Sequence, residues 1–460
     1  MWSRFKFFGI VICAFGFFVA GLANGQENAQ LPRYLLPVGR KLKYSSLSQS
    51  SGTSPMRVNG TTEILVVGEN ADGSRRLVVR VGQSFTQIIN GQTHSEPEEI
   101  TVGWVDLYPD GRVAADTPVN MRIDPASFMP LLPADSKQWK DGWSFDNATR
   151  LSIADYSAQP ASSGDFVFKS SESGVMSSLY QTTGETTFHF DRSKGVISGA
   201  EGESTQQYGI QSQDTTTLTL DSDETVPPEQ AEQIGKEYAV FFKSADAYDA
   251  KLETIAQNPQ DVDRILAEAK SILADADVTA TRPEVKSRIQ EMLQNHDAES
   301  QFEKQTAQQI SGVLNKPAFD FETTDIDGKP VKLIDLRGKV VLLDFWYRGC
   351  GWCMYAMPQI KQIATDFKDQ PVAVLGMNTD ADEKNARLVI DIQQLNYPTL
   401  KAADLPAKFG VGGFPTLILI DQMGVVRRVH VGWSPTLRED IGAQIQSLLN
   451  QPPTAALGSN

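Results

Sequence analysis

The sequence is poor in cysteine, in positive charge and in long apolar runs, and each shortage excludes a class of protein. Three cysteines among 460 residues are too few for a fold built on disulfide bonds. Lys and Arg number 42 against 57 Asp and Glu, so the formal charge is −15. That charge argues against nucleic acid or anionic lipid as the main partner. Beyond residue 23 no apolar run is long enough to span a bilayer, so the remainder is not expected to be an integral membrane protein.

The remaining composition is typical of a globular chain with several domains. Apolar residues make up 40% and charged residues 22%, which is close to ordinary usage. The 35 glycines and 24 prolines are ordinary in number and exclude a collagen-like or proline-rich filament. At roughly 150 residues per domain, the length suggests about three units.

Residues 1–25 have the pattern of a secretory signal peptide. Arg4 and Lys6 precede the apolar stretch 7–23, and small residues follow it before Gln26. The alternative is an uncleaved membrane tether, but 17 apolar residues lie at the low edge of a bilayer span, for which about 20 are usual. We therefore expect cleavage after Gly25 and export of the mature chain.

Short alternating strands joined by tight turns predict a β-rich domain over residues 33–222. Runs at 64–67 and 77–81 flank turn-forming residues, and so do runs at 187–190 and 196–197. No helical pattern lies between them, so we expect an antiparallel sheet, a sandwich or an open barrel. The isolated His94 and His189 predict no chemistry in this domain.

Helical periodicity follows over residues 228–312. A single apolar stripe runs along one predicted helix and comprises Val262, Ile265, Leu266, Ala269, Ile272 and Leu273. Residues 281–284 (TRPE) predict a capping box with a proline early in the next helix. The segment is expected to be a small domain or a stiff connector.

Strands and helices alternate from residue 315 to 450, which predicts an α/β domain with helices on both faces of a sheet. The clearest strand covers 340–346, a helix follows Cys350, and the last helix covers 437–449. The tail 451–460 lacks periodicity and is expected to be flexible. The expected fold class is therefore multi-domain, with an all-β antiparallel domain, a helical connector and an α/β domain.

The pair Cys350 and Cys353 follows a strand and opens a helix, and this context gives the spacing its chemical meaning. Cleavage after Gly25 removes Cys13, so these two sulfurs can pair only with each other or with a visiting substrate. Unpaired N–H groups and the helix dipole favour a thiolate at a helix start. Cys350 is therefore the expected nucleophile. Cys353, one turn later, can resolve a mixed disulfide.

Asp344 lies six residues before Cys350 among apolar neighbours. A carboxylate in such surroundings is costly, so we expect its pKa to be raised. A carboxyl group tuned in this way can accept the proton of Cys353 when that residue attacks. The alternative is an outward-pointing strand residue, but the neighbouring residues show no exposed-face pattern.

Several motifs together resemble the thioredoxin superfamily, and within it the redoxin-like, TlpA-type thiol–disulfide oxidoreductases. These motifs are residues 341–346 (VLLDFW), the Cys-x-x-Cys pair, Pro358, and residues 413–416 (GFPT). Residues 317–321 (PAFDF), 327–329 (DGK) and 336–339 (LRGK) are similar to the TlpA-type branch. The resemblance covers about 315–450 only. It implies a thioredoxin-like fold in which Pro415 is cis and faces the disulfide.

The resemblance also implies the partners and the contact residues. The residues expected to contact substrate are Trp346, Gly351, Trp352, Phe414, Pro415 and Thr416. Protein thiols or disulfides would be the substrates, with a second protein as electron donor or acceptor and no cofactor beyond the cysteine pair. The usual setting of the family is the bacterial periplasm or cell envelope. Gly349 and Ala356 depart from the residues common there. The pair between the cysteines, Gly351 and Trp352, is also uncommon, so the redox direction stays open between reductant, oxidant and isomerase.

The cysteine pair also admits other functions. A zinc site needs two further ligands, and none lies at suitable spacing, so no metal site is predicted. A purely structural disulfide is disfavoured because closing so short a loop gains little entropy. A thiol peroxidase acting through Cys350 is the enzymatic alternative. An envelope binding protein whose β domain does the work, with an accessory redox module, is the other.

Overall fold

The computed structural model describes residues 31–51, 55–89, 92–114, 123–147, 152–160, 165–177, 180–208 and 210–450. The expected signal peptide 1–25, with Cys13, and the expected flexible tail 451–460 lie outside these residues. Within the described ranges, no helix combines the length and apolar character needed to cross a membrane.

Among those residues, 11 strands form one antiparallel sheet. They are β1 (Arg40–Ser51), β2 (Met56–Glu69), β3 (Arg75–Ile89), β4 (Gln92–Ser95), β5 (Glu99–Leu107), β6 (Trp143–Asn147), β7 (Ser152–Gln159), β8 (Phe166–Ser177), β9 (Tyr180–Asp191), β10 (Val196–Tyr208) and β11 (Ile210–Thr225). Their order is β4-β3-β2-β1-β11-β10-β9-β8-β7-β6, and β5 also pairs with β3. The short helix α1 (Ser136–Asp141) precedes β6.

The apolar runs in β2 and β3 are continuous because both faces of the sheet are covered there. Side chains alternate between the two faces of a strand. Ile64 and Leu77 accordingly point into the core on one side of the sheet. Val67 and Val78 pack on the other side, against aromatic residues of the following helices such as Phe242.

Three helices follow the sheet: α2 (Pro228–Glu253), α3 (Val262–Thr279) and α4 (Pro283–Val313). Pro283 occupies the first position of α4, as expected, but the predicted capping box is wrong. Arg282 is the N-cap residue and makes no side-chain cap hydrogen bond. Glu284 instead accepts a hydrogen bond of 2.9 Å from the hydroxyl of Tyr238 on α2. A tertiary contact therefore replaces the local one.

The C-terminal domain contains a small hairpin and a five-stranded sheet. The hairpin is β12 (Glu322–Thr324) and β13 (Pro330–Lys332), and the sheet strands are β14 (Val340–Trp346), β15 (Val372–Asn378), β16 (Thr399–Lys401), β17 (Thr416–Ile420) and β18 (Val426–Val431). The order is β16-β15-β14-β17-β18. Strands β14 to β16 run parallel, and β17 and β18 are antiparallel to their neighbours. The helices are α5 (Gly351–Asp366), α6 (Glu383–Gln393) and α7 (Leu437–Leu449).

Every residue of β14 is buried because both faces of the sheet are covered. Helices α5, α6 and α7 pack on one face. The other face is closed by short 3₁₀ turns that carry Leu333 and Phe409, and by Ile310 near the end of α4. The expected multi-domain class is confirmed, and the helical segment takes part in the core of the α/β domain.

Candidate active site

Cys350 and Cys353 form a disulfide at the start of α5, with an S–S distance of 2.05 Å. Strand β14 ends at Trp346, and a short loop brings the chain to Cys350, the N-cap residue of α5. The sulfur of Cys350 accepts a hydrogen bond of 3.1 Å from the backbone N–H of Cys353. Charge on the Cys350 sulfur is therefore stabilised by the helix start.

The two sulfurs differ in exposure. Cys350 is 5% exposed and Cys353 is 1% exposed. Cys350 is thus the slightly more accessible residue of a largely covered pair. This difference, together with the helix-start position, fits Cys350 as the nucleophile and Cys353 as the resolving residue.

Asp344 lies beneath the cysteines on β14. Leu342, Asp344 and Trp346 point to the same face of the sheet because side chains alternate along a strand. Trp346 packs in one cluster with Cys350 and Cys353, and Leu342 packs with α5. Asp344 therefore faces the helix that carries the disulfide.

Burial raises the pKa of Asp344 to about 7, as its apolar neighbours in the sequence led us to expect. The side chain is 1% exposed. The hydroxyl of Tyr397 donates a hydrogen bond of 3.1 Å to Oδ2 of Asp344, and this bond opposes part of the rise. A carboxyl group with such a pKa can both take up and release a proton near neutral pH.

A small polar cluster surrounds this carboxyl group. Gly376 on β15 lies directly opposite Asp344 in the parallel ladder. A Cβ atom placed on Gly376 would lie 2.9 Å from Oγ1 of Thr399 and 3.0 Å from Nε1 of Trp346. Only glycine fits without displacing these side chains. Tyr397 and Gly376 were not predicted from the sequence, since nothing local marks them as neighbours of Asp344.

The loop before β17 carries the proline expected to be cis. The peptide bond between Phe414 and Pro415 is cis, and Phe414 packs against the cluster that contains both cysteines. Thr416 donates a hydrogen bond of 2.7 Å from its hydroxyl to the carbonyl of Gly413. The loop is thus closed on itself and lies against the disulfide.

Five partly or largely exposed aromatic side chains lie next to the cysteine pair or pack on its neighbours, and we call them the aromatic rim: Tyr347, Trp352, Tyr355, Phe414 and Trp433. The ring of Trp352 stacks on that of Trp433, with centroids 5.8 Å apart. Tyr347 meets Phe414 edge to face at 5.1 Å. Exposed aromatic rings next to a reactive sulfur offer contact area for a polypeptide. Tyr347, Tyr355 and Trp433 were not among the predicted site residues.

The predicted substrate-contacting residues fall into two groups. Gly351 and Trp352 are exposed, and Phe414 is half-buried. Pro415 is buried, while Trp346 and Thr416 are fully buried. Trp346 and Thr416 therefore have no side-chain surface to offer a substrate in this oxidised state and support the site from below. The substrate contacts of the other four residues stay predictions.

The described residues contain no group of three or more His, Cys, Asp or Glu side chains arranged to hold a metal ion. His296 is too distant in sequence from the cysteine pair to suggest a shared site, and it is buried in the helical segment. Its Nδ1 lies 3.0 Å from the hydroxyl of Tyr248.

Comparisons with known proteins place this site in a family. The Redoxin family model matches residues 313–445. Thiol-disulfide oxidoreductase ResA of Bacillus thuringiensis is 31% identical over 121 residues, which is 26% of this chain and 70% of that relative. The chain belongs to the redoxin family. We refer to residues 313–445 as the redoxin domain.

Other relatives align with the redoxin domain as well. ResA of Halalkalibacterium halodurans is 30% identical over 117 residues, covering 25% of this chain and 66% of the relative. Among solved structures, the thioredoxin domain of a thiol-disulfide oxidoreductase from Bacteroides vulgatus is 25% identical. That match covers 29% of this chain and 98% of that one, with a TM-score of 0.27. The two ResA relatives identify the redoxin domain as a thiol–disulfide oxidoreductase domain, and their alignments leave most of the chain uncovered.

Proposed function

We propose that the protein is an extracytoplasmic thiol–disulfide oxidoreductase that exchanges electrons with protein substrates through Cys350 and Cys353. The observation that carries the proposal is the position of the pair. The two sulfurs are bonded to each other at a helix start, beside the cis-proline loop and inside a rim of aromatic side chains. Such a surface suits a polypeptide better than a small molecule.

Exchange starts from the reduced pair. The Cys350 thiolate attacks one sulfur of a substrate disulfide, so a mixed disulfide forms and the other substrate sulfur leaves as a thiolate. Cys353 then attacks the sulfur of Cys350. The Cys350–Cys353 bond forms, and the first substrate sulfur leaves as a second thiolate. The substrate gains two electrons and the cysteine pair loses two. The same steps in reverse oxidise a substrate dithiol.

Asp344 has a role in the second step. Cys353 is nearly inaccessible to water, so its proton needs an acceptor inside the protein. The ionised carboxylate of Asp344 accepts that proton, and its pKa of about 7 suits the transfer near neutral pH. A second thiol or disulfide protein returns the pair to its starting state. The pair itself carries both electrons, so the cycle uses no further cofactor.

The expected export of the chain supports protein disulfides as its substrates. The pattern of residues 1–25 is that of a signal peptide, and disulfide substrates persist in an oxidising compartment such as the periplasm. Expression with the full leader tests the location. N-terminal sequencing of the protein from the periplasmic fraction should begin at Gln26. A chain that retains Met1 and sediments with membranes would instead support the tethered form.

Trapping with Cys353→Ser tests the function. Cys350 can still attack a substrate disulfide, but the mixed disulfide cannot be resolved. Discrete protein adducts that dithiothreitol releases should accumulate on this variant, whereas Cys350→Ser should trap none. Consumption of hydrogen peroxide by the wild-type protein, without any adducts, would identify a thiol peroxidase. Absence of both adducts and peroxide turnover would favour a binding protein with an accessory redox module.

A further inference from the structure

Helix α4 lies along the loop that leads to the cis-proline, although most of it precedes the redoxin domain. A Cβ atom placed on Gly412 would collide with Oε1 of Gln309. Two turns earlier on the same helix, Phe302 reaches the next part of the loop. A Cβ atom on Gly413 would lie 3.9 Å from Cζ of Phe302. Gly413 is separated from Pro415 only by Phe414.

Phe302 therefore continues the aromatic rim onto the helical segment. Its side chain is 51% exposed, the same fraction as for Trp352. Because it lies beside the loop that leads to the cis-proline, this exposed ring is available to a polypeptide bound at the disulfide. Gly413 and Pro415 are two residues apart, at most roughly 7 Å. A bound polypeptide whose reacting cysteine lies near Pro415 would therefore meet Phe302 within a few residues of that cysteine.

The charges next to Phe302 indicate the charge that a bound polypeptide should carry. Glu299 and Glu303 lie on α4 beside Phe302, and Asp249 and Glu253 lie on the facing part of α2. Burial first, and then neighbouring carboxylates, raise the pKa of Glu303, Asp249 and Glu253. In the case of Glu253 the neighbour is Asp440 of the redoxin domain.

Within the part of the chain that the structure describes, none of these five carboxylates pairs with Lys or Arg. A cationic partner would relieve their mutual repulsion.

We propose that the substrate of the Cys350–Cys353 pair is a polypeptide segment with an apolar side chain and basic residues close to its reacting cysteine. Phe302 is a specificity-determining residue for that segment, and the helical segment thereby forms one wall of the substrate site. This inference rests on the proposed exchange function and names the substrate class of the same site.

Three peptides with one internal disulfide test the inference. They are identical except beside one cysteine, where the first carries leucine and two lysines, the second serine and two lysines, and the third leucine and two glutamates. The second-order rate at which each oxidises the reduced full-length protein is measured, with 2-hydroxyethyl disulfide as a small uncharged probe. The leucine–lysine peptide should react about tenfold faster than either of the others, the size expected for one buried apolar contact or a close charge pair.

Substitutions assign the two preferences to residues. Phe302→Ala should lower the rate with the leucine–lysine peptide about tenfold. The rate with the serine–lysine peptide should stay within about twofold of the wild-type rate. Glu299→Gln combined with Glu303→Gln should remove the preference for lysine over glutamate. Phe319→Ala is the matched control, because Phe319 is also an exposed phenylalanine, at 43%, and its ring meets Phe409 rather than Gly413. Glu229→Gln combined with Glu232→Gln is the charge control, at the far end of α2.

The possible results separate this inference from the function beneath it. Circular dichroism shows whether each variant is folded, and the two control variants should react with 2-hydroxyethyl disulfide at the wild-type rate. Equal rates for the three peptides, or equal effects of Phe302→Ala and Phe319→Ala, would overturn the inference and leave the exchange function standing. Failure of the wild-type protein to react with 2-hydroxyethyl disulfide would overturn the proposed function itself.

Discussion

The hydroxyl of Tyr397 donates a hydrogen bond of 3.1 Å to Oδ2 of Asp344, a residue 53 positions earlier in the chain. Both side chains are buried. Burial raises the pKa of Asp344, and the bond from Tyr397 lowers it, so that the result is about 7. Tyr397 is therefore a positioning residue that brings the pKa of Asp344, the proposed proton acceptor, into the physiological range.

Replacement of Tyr397 by phenylalanine should raise the pKa of Asp344 above about 7, because the ionised carboxylate loses its hydrogen bond. The resolution step needs that ionised form, so the midpoint of its pH profile should move to higher pH. Stopped-flow decay of a preformed mixed disulfide on Cys350 reports the midpoint. Tyr238→Phe, which removes a hydroxyl bonded to Glu284 in the helical segment, is the control and should leave the midpoint unchanged.

Asp344 should also make stability depend on pH. Its pKa in the folded protein, about 7, lies above the ordinary 3.8. The folded state thus holds the proton more tightly than the unfolded chain. The stability linked to that proton is complete below about pH 4 and is lost as the pH rises towards 7. Asp344→Asn removes the ionisable group, so its free energy of unfolding at pH 8 should exceed that of the wild type by roughly 1–4 kcal/mol.

Calorimetric unfolding of the oxidised protein and of Asp344→Asn at pH 4 and pH 8 tests this predicted pH dependence of stability. The gain from Asp344→Asn should be present at pH 8 and absent at pH 4. A gain of equal size at both values would mean that the amide packs better than the acid, and the titration argument would be wrong.

Gly376→Ala should destabilise the redoxin domain. The added methyl group would lie 2.9 Å from Oγ1 of Thr399 and 3.0 Å from Nε1 of Trp346. Both atoms belong to buried side chains, and overpacking of this kind costs about 1–3 kcal/mol. Urea unfolding measures the loss. Adding Thr399→Ala should recover part of it, so additive losses in the double variant would contradict the steric explanation.

Ile310→Ala should destabilise the redoxin domain as well, although Ile310 precedes the matched residues. Its side chain is 1% exposed and packs with residues of the five-stranded sheet. Truncation of a buried isoleucine costs about 2–5 kcal/mol. The control is Val278→Ala, since Val278 is 83% exposed. Thermal unfolding of both variants, followed by the tryptophan fluorescence of the redoxin domain, distinguishes a docked helix from a loose connector.

Features with local signals could be predicted from the sequence. Strand β14 and helix α7 have the predicted bounds, because their apolar spacing specifies both type and length. The context of the Cys-x-x-Cys pair was likewise evident from the strand before it and the helix after it. The GFPT motif was sufficient to predict the cis-proline through its resemblance to a family.

Features that depend on distant residues could not be predicted. Tyr397 and Gly376 meet Asp344 only after three strands have assembled, and Phe302 reaches Gly413 only once α4 has docked. The capping box failed for the same reason, since Glu284 bonds to Tyr238 on another helix. The burial of Trp346 follows from coverage of both sheet faces, and an apolar run alone does not distinguish a core residue from a rim residue.

Helix α4 connects the large sheet to the redoxin domain, so its length relates the two. Near its start, Val285 and Ile289 share a core with the large sheet. Near its end, Ile310 shares a core with the redoxin domain. Its 31 residues span roughly 46 Å at 1.5 Å per residue. A protein that touched both the large sheet near Ile289 and the cis-proline loop near Phe302 would have to bridge only about 20 Å of that length. A polypeptide segment shorter than that can therefore contact only one of the two regions, and disulfide exchange requires contact with the region beside Cys350.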